Sequence, residues 1–287
     1  MFPSQFAYHR PSSVEDAVRH LQENPEAKIL AGGHSLLPAM KMRLASPASL
    51  IDLNRIEALR GISVDGGVRI GAMTTYRQLI DSSELRQRLP VIAETADYVG
   101  DQQVQARGTL GGALAHADPA SDFTAVVLAL GGEVTAIGGN GRRTIAVDDL
   151  FVDLLTTSLE PDEVITEVSI AAPAAKTGTA YEKHRHPASG YAVVGVAVTV
   201  TLADDGTCRA ARIAVTGATS KATRATAAEQ ALIGQMPDAE VIGRAAAAVP
   251  QGLELNGDLY ASEEYRRHLL TVYGRRAIER AAARAKG

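Results

Sequence analysis

The chain has 287 residues, of which 46% are hydrophobic and 22% charged, with a formal net charge of −4. That is enough for one large domain or two ordinary ones, and the composition excludes a mainly disordered chain. A net acidic chain lacks the basic excess of a nucleic-acid surface. No apolar run approaches a bilayer span, and the first residues, MFPSQFAYHRPSS, do not have the basic-then-apolar pattern of an export signal; the expected location is the cytoplasm. A single cysteine, Cys208, cannot form an internal disulfide, a zinc knuckle or an iron–sulfur cluster. Any redox chemistry must therefore come from an organic cofactor or a partner chain.

In chain order, residues 12–24 read as a helix entered through a Ser12–Glu15 capping box, with Val14, Ala17, Val18 and Leu21 on one face. Lys28 to Ala31 reads as a short strand. It runs into Gly32-Gly33-His34-Ser35, followed by a helical pattern through Leu36, Leu37, Met40 and Leu44. Leu50 to Leu53 is a further strand, and 64–70 is a hairpin about Asp65-Gly66-Gly67. Residues 74–80 and 90–99 look helical. After the glycine-rich stretch RGTLGGALAHADPASD (107–122), FTAVVLAL (123–130) reads as a buried helix with Asp122 as its N-cap. A second hairpin pairs 133–137 with 143–147.

Small residues at 171–178 mark a candidate domain boundary. Beyond it, 191–202 is a long β-branched run turned back by Asp204-Asp205-Gly206 into 208–215. Three helices follow, at 223–233, 238–249 and from Glu263 to near the end.

The two glycine stretches share a physical logic. Glycine permits tight turns and close approach to backbone N–H groups, and consecutive free N–H groups at a helix start attract anions. Ser35 adds a hydroxyl and Asp122 an acceptor suited to a ribose hydroxyl. Two such cradles suit a pyrophosphate. Neither stretch is G-x-G-x-x-G, and no G-x-x-x-x-G-K-[ST] occurs, which argues against Rossmann and P-loop folds.

Four motifs in order carry a resemblance: AGGHSLLPAMKMRL (31–44), IGAMTT (70–75), QVQARGTLGGALAHADPASD (103–122) and AYEKHRHPASGYA (180–192). They resemble the flavoprotein (medium) subunit of the molybdenum hydroxylases, of the carbon monoxide dehydrogenase and xanthine dehydrogenase type, over essentially the whole chain. The resemblance implies an α+β fold: an FAD-binding domain of the vanillyl-alcohol oxidase (PCMH) type over 1–175, with subdomains of about 1–54 and 55–175. A smaller α+β domain over 176–287 would carry a three-stranded antiparallel sheet and helices.

It further implies non-covalent FAD, with Ala31, Gly32, Gly33, His34, Ser35 and Leu36 and then Thr109, Gly111, Gly112 and Ala113 around the pyrophosphate. Asp122 would hold the ribityl or ribose side, Ile165 would pack near the adenine, Lys183 would reach the flavin's polar edge and Tyr191 would cover one flavin face. No catalytic residue and no metal ligand are expected on this chain. The molybdenum cofactor and [2Fe–2S] clusters would sit on large and small partner subunits, in paired heterotrimers, with quinone, NAD or oxygen as the electron acceptor. The complex would be cytoplasmic, with association at the inner membrane face open. The chain departs from the family pattern at Ala113, where Asn is usual after the double glycine.

Two other readings stand beside this one: a stand-alone FAD oxidase with its own organic substrate, and a non-redox module binding a nucleotide or phosphate. Among the remaining residues, Cys208 reads as a buried or edge thiol. His34 and His116 read as loop residues. His184 and His186, an H-x-H, lack a nearby third ligand, and Lys183 and Arg185 beside them suggest a solvated basic edge. Arg266, Arg267 and the Arg-rich last helix read as a solvated face or a subunit contact.

Overall fold

The computed structural model describes residues 2–287. Its first unit is a three-stranded, all-parallel sheet of β1 (Ala7–His9), β2 (Lys28–Leu30) and β3 (Ser49–Asp52), ordered β1-β3-β2. Helix α1 (Val14–Glu23) crosses from β1 to β2, and α2 (Leu36–Lys41) leads from β2 toward β3. The N-cap of α1 is Ser13, which accepts from the Asp16 N–H, one residue later than the Ser12 box predicts. The predicted face survives: Val14, Ala17, Val18 and Leu21 are buried with Ile51 and Leu53 in one small core.

Strands β4 (Ile62–Ser63) and β5 (Gly67–Gly71) open a second sheet. Six helices leave it before the chain returns: α3 (Tyr76–Asp81), α4 (Ser83–Arg88), α5 (Pro90–Tyr98), α6 (Gln102–Arg107), α7 (Leu110–His116) and α8 (Asp122–Ala129). Strands β6 (Glu133–Gly138) and β7 (Gly141–Ala146) form the expected hairpin. After a short helix α9 (Val147–Leu150) and a separate two-stranded ribbon of β8 (Phe151–Asp153) and β9 (Thr156–Thr157), β10 (Val164–Ala171) completes an antiparallel sheet ordered β4-β5-β10-β6-β7.

The third sheet has four strands rather than three, ordered β11 (Thr177–Arg185), β12 (Ala192–Leu202), β13 (Cys208–Thr216) and β14 (Thr223–Arg224). The fourth was hidden because Thr223 and Arg224 stand directly before a helical pattern. They pair with β13 instead, and α10 (Thr226–Leu232) starts after them. Helices α11 (Ala239–Ala248) and α12 (Glu263–Lys286) follow.

Ten of the eleven β12 residues are buried, which explains the unbroken β-branched run: both of its faces are covered. One face packs on α12, and the other faces α8. All eight residues of α8 are buried, so this helix joins the central core to the third sheet.

The last helix is not simply a solvated arginine face. Arg266 is 6% exposed and donates to the Gly217 carbonyl at 2.9 Å, to Asn256 and to Asp258. Arg280 and Arg284 both reach Glu94 on α5, at 3.0 and 2.6 Å, and so clamp α12 to the central unit.

Candidate functional site

The β2–α2 turn supplies the first glycine loop. Gly33 has φ +80°, which glycine adopts without penalty. Among the described residues, no oxygen accepts from the backbone N–H groups of Gly32, Gly33, His34, Ser35 or Leu36. The first hydrogen bond of the turn runs from Leu37 N–H back to the Gly33 carbonyl at 3.0 Å. Five successive free donors at a helix entry form an anion cradle. The loop's own carbonyls are held from behind: Asn54 Nδ2 donates to Ala31 O at 3.1 Å. The exposed His34 turns its Nδ1 to Gly32 O at 3.3 Å, so its ring serves the loop.

The second glycine stretch docks directly on the first. A Cβ on Gly32 would lie 2.9 Å from the Arg107 carbonyl carbon, nearer still to its oxygen, and 3.0 Å from Gly108 Cα. A Cβ on Gly112 would lie 3.5 Å from that of Ala31. Two loops some 75 residues apart are therefore one constellation.

Their chemistry differs from the symmetric clamp the sequence suggests. In the second loop the donors are already used: Leu110 N–H goes to Thr74 O (3.2 Å), Gly111 N–H to Ala72 O (2.9 Å), Gly112 N–H to the Thr109 hydroxyl (3.2 Å) and Ala113 N–H to Thr109 O (3.1 Å). Thr109 is the N-cap of α7, and its isolated bridge with Thr75 pins the helix start to the α3 entrance. Its glycines are packing glycines.

Gly111 shows this most clearly. A Cβ there would sit 2.5 Å from Ala72 Cβ and 2.8 Å from its carbonyl oxygen, facing the core and not solvent. Gly111→Ala is therefore expected to destabilise the chain by about 1–3 kcal/mol from overpacking, and Gly111→Asp by more, since it also buries an unpaired carboxyl. Urea unfolding of both flavin-free variants checks it; a Gly111→Ala variant as stable as wild type would mean that the position does not face the core.

Asp122 is not the N-cap of α8. Ser121 holds that position, and Asp122 is the first helical residue, 5% exposed. Both of its oxygens are bound within the protein. The Tyr181 hydroxyl donates to Oδ1, while Lys183 Nζ lies 2.8 Å from Oδ1 and 2.9 Å from Oδ2. Lys183 is thus no part of a solvated basic edge: its side chain is 1% exposed, and it also donates to Tyr98 O at 3.3 Å. Burial pushes the Asp122 carboxyl up, and Lys183 opposes it. Tyr181, missed in the sequence, has its phenol pushed far up by burial and by Asp122. Ile165 lies in β10, buried in the central core at a bulge.

Tyr191 precedes β12 and is 42% exposed. Burial raises its pKa, Asp118 adds to the rise, and the neighbouring Ser35 hydroxyl lowers it. An exposed aromatic ring therefore stands at the rim of the first cradle. The two histidines nearby have separate duties. His184 Nδ1 lies 3.2 Å from the Tyr273 hydroxyl, and His186 Nδ1 accepts from Ala188 and Ser189 N–H. Cys208 is buried, and its thiol points to Ala210 O at 3.4 Å. No helix among the described residues is long and apolar enough to cross a membrane.

A row of free N–H groups, a docked second loop and an aromatic ring at the rim make an arrangement chemically suited to an anionic group beside a flat ring. Comparison with known proteins makes this specific. Residues 4–173 match the family described as FAD binding domain in molybdopterin dehydrogenase, and 179–281 match CO dehydrogenase flavoprotein C-terminal domain. The chain belongs to this family of FAD-binding medium subunits of oxidoreductases, of the carbon monoxide dehydrogenase and xanthine dehydrogenase type.

It is 41% identical over 286 residues to the carbon monoxide dehydrogenase medium chain of Hydrogenophaga pseudoflava, covering 99% of both chains. It is 40% identical over 278 residues to the nicotine 6-hydroxylase medium subunit of Paenarthrobacter nicotinovorans, covering 96% of this chain and 97% of that one. A solved carbon monoxide dehydrogenase from Hydrogenophaga pseudoflava contains a chain that superposes with a TM-score of 0.95 at 43% identity, covering 99% of both.

Proposed function

We propose that this chain is the FAD-carrying electron-transfer subunit of a heteromeric molybdenum hydroxylase. It would take electrons from [2Fe–2S] clusters on a small partner subunit and pass them to an external acceptor such as quinone, NAD or oxygen. Molybdenum chemistry would belong to a large partner, the three chains forming paired heterotrimers in the cytoplasm, with association at the inner membrane face left open. Relatives named for carbon monoxide and for nicotine are almost equally similar to this chain. That supports assigning the choice of substrate to the large subunit.

The observation that carries the reading is the run of free N–H donors from Gly32 to Leu36, closed on one side by Arg107 and Gly108. It fits the pyrophosphate of a dinucleotide. Bound FAD supplies the one- and two-electron chemistry, while the protein binds, orients and shields it. Ala31 through Leu36 would hold the phosphates, with Gly112 and Ala113 forming the wall opposite and the buried Thr109 and Gly111 seating that wall on the core. Ala113 offers a methyl group there where an amide is usual, so that side-chain hydrogen bond to the cofactor would be absent or supplied by another residue. Asp122 and Lys183 would present the polar edge of a pre-paired cluster, Ile165 an apolar wall toward the adenine, and Tyr191 a cover over one flavin face. The division into 1–175 and 176–287, and the vanillyl-alcohol oxidase (PCMH) architecture of the first part, complete the reading.

Purification tests it. The chain produced alone should be yellow or take up FAD, and iron and molybdenum should co-purify only when the partner chains are co-expressed. A flavin-loaded chain that oxidises an organic substrate without partners would replace this reading with that of a stand-alone oxidase.

A further inference from the structure

We propose that His186 is a positioning residue for Tyr191: it braces the six-residue turn that carries the tyrosine to the rim of the first glycine loop. The inference rests on the reading that Tyr191 covers the bound flavin. The turn runs from the end of β11 to the start of β12, and its ends are closed by His186 N–H donating to Tyr191 O at 2.8 Å. Gly190 N–H returns to His186 O at 2.9 Å, with Gly190 at φ +74°.

The tip of the turn, Pro187 to Ser189, is exposed, and within the turn the Ser189 hydroxyl accepts from the Tyr191 N–H at 3.3 Å. Its Ala188 and Ser189 N–H groups have one acceptor among the described residues, the His186 ring nitrogen Nδ1, at 3.2 and 3.3 Å. Accepting both requires an unprotonated Nδ1, with the ring proton on Nε2. The ring is backed by Tyr260, centroid to centroid 4.3 Å. Tyr260 is itself held: its N–H and that of Ala261 donate to Asp258 Oδ1 at 2.8 and 2.9 Å, and Asp258 is paired with the buried Arg266. A chain of fixed contacts therefore runs from the α12 entrance through Tyr260 and His186 to Tyr191.

Two substitutions separate the parts of this role. His186→Phe keeps a ring on Tyr260 and removes the acceptor. His186→Asn keeps a side-chain acceptor for the same two N–H groups, as in an Asx turn, and removes the ring. Hydrogen exchange of the flavin-free chain should be roughly tenfold faster or more over 188–191 in the Phe variant, consistent with two lost hydrogen bonds, and close to wild type in the Asn variant.

In the FAD-loaded chains, the Phe variant should bind FAD at wild-type stoichiometry but show flavin fluorescence raised toward that of Tyr191→Ala, with Asn restoring the quenching. A Phe variant indistinguishable from wild type in exchange would overturn the proposal, and so would an Asn variant as perturbed as Phe. If wild-type chain takes up no FAD, the flavin reading fails, while the exchange comparison still judges His186.

Discussion

Lys183→Met is expected to destabilise the protein by about 3–5 kcal/mol, the cost of leaving one partner of a buried ion pair alone. Both partners are out of water: the Lys183 side chain is 1% exposed and that of Asp122 5%. Without the ammonium, the Asp122 carboxylate keeps the Tyr181 hydroxyl as its one side-chain donor. The pair joins α8 to β11, so the loss falls on the docking of the third sheet against the central core.

Two features make the prediction discriminating. The double variant Asp122→Leu/Lys183→Met should be more stable than Lys183→Met alone, because no charge is then stranded. The single variant should also have a particular pH dependence. Burial raises the folded pKa of Asp122, and with Lys183 gone nothing cationic at the carboxylate opposes that. A carboxyl whose folded pKa lies above its unfolded value of about 3.9 is best tolerated when protonated. The deficit should therefore be smallest near and below that unfolded value, and should grow as pH rises through the raised folded one. Urea unfolding between about pH 4 and 8 reads both effects. A deficit under about 1 kcal/mol at neutral pH would mean that water reaches the pair.

Gly32→Ala is expected to cut FAD affinity by about ten- to a hundredfold. The added methyl has no flexible side chain to displace; it meets the Arg107 carbonyl and Gly108 Cα. Relieving such overpacking costs about 1–3 kcal/mol, and each 1.4 kcal/mol is a tenfold change in affinity. The loops must separate, and the second loop is then no longer a wall for the first. Gly243→Ala is the matched control, since a Cβ there meets nothing within 4 Å and the residue lies in α11; helix propensity makes that change neutral or mildly stabilising. Fluorescence titration with FAD measures both. Unchanged affinity in Gly32→Ala would show that loop docking does not matter to binding.

Much of the architecture was legible because local rules and tertiary packing agree. The amphipathic face of α1, the hairpin at 133–147 and the strand–glycine–helix unit at 28–41 all carry their own period or turn residue. The pairing of the two glycine stretches was legible as an idea, and the contact of Gly32 with Arg107 and Gly108 gives it a physical form.

What failed was whatever depends on the partner across space. Asp122 looked like a cap because it precedes an apolar run, but a strand 60 residues later supplies a phenol and an ammonium that claim it. The one usable signal was spacing. Tyr181 and Lys183 are two apart in a strand and must share a face, whereas the alternation of Lys183, His184, Arg185 and His186 reads as a polar edge. The second loop misled similarly. Gly111 and Gly112 announce close approach, but composition does not say whether a ligand or Ala72 approaches. His186 gave no signal, because its acceptor role depends on the path of a turn.

The most direct test of the account is flavin analysis of the purified chain after acid or heat denaturation. The account predicts one FAD per chain, all of it released into the supernatant and none left on the polypeptide, as backbone N–H groups and packing would hold it. A folded chain that carries and takes up no FAD, or a flavin that stays with the precipitated polypeptide, would contradict it.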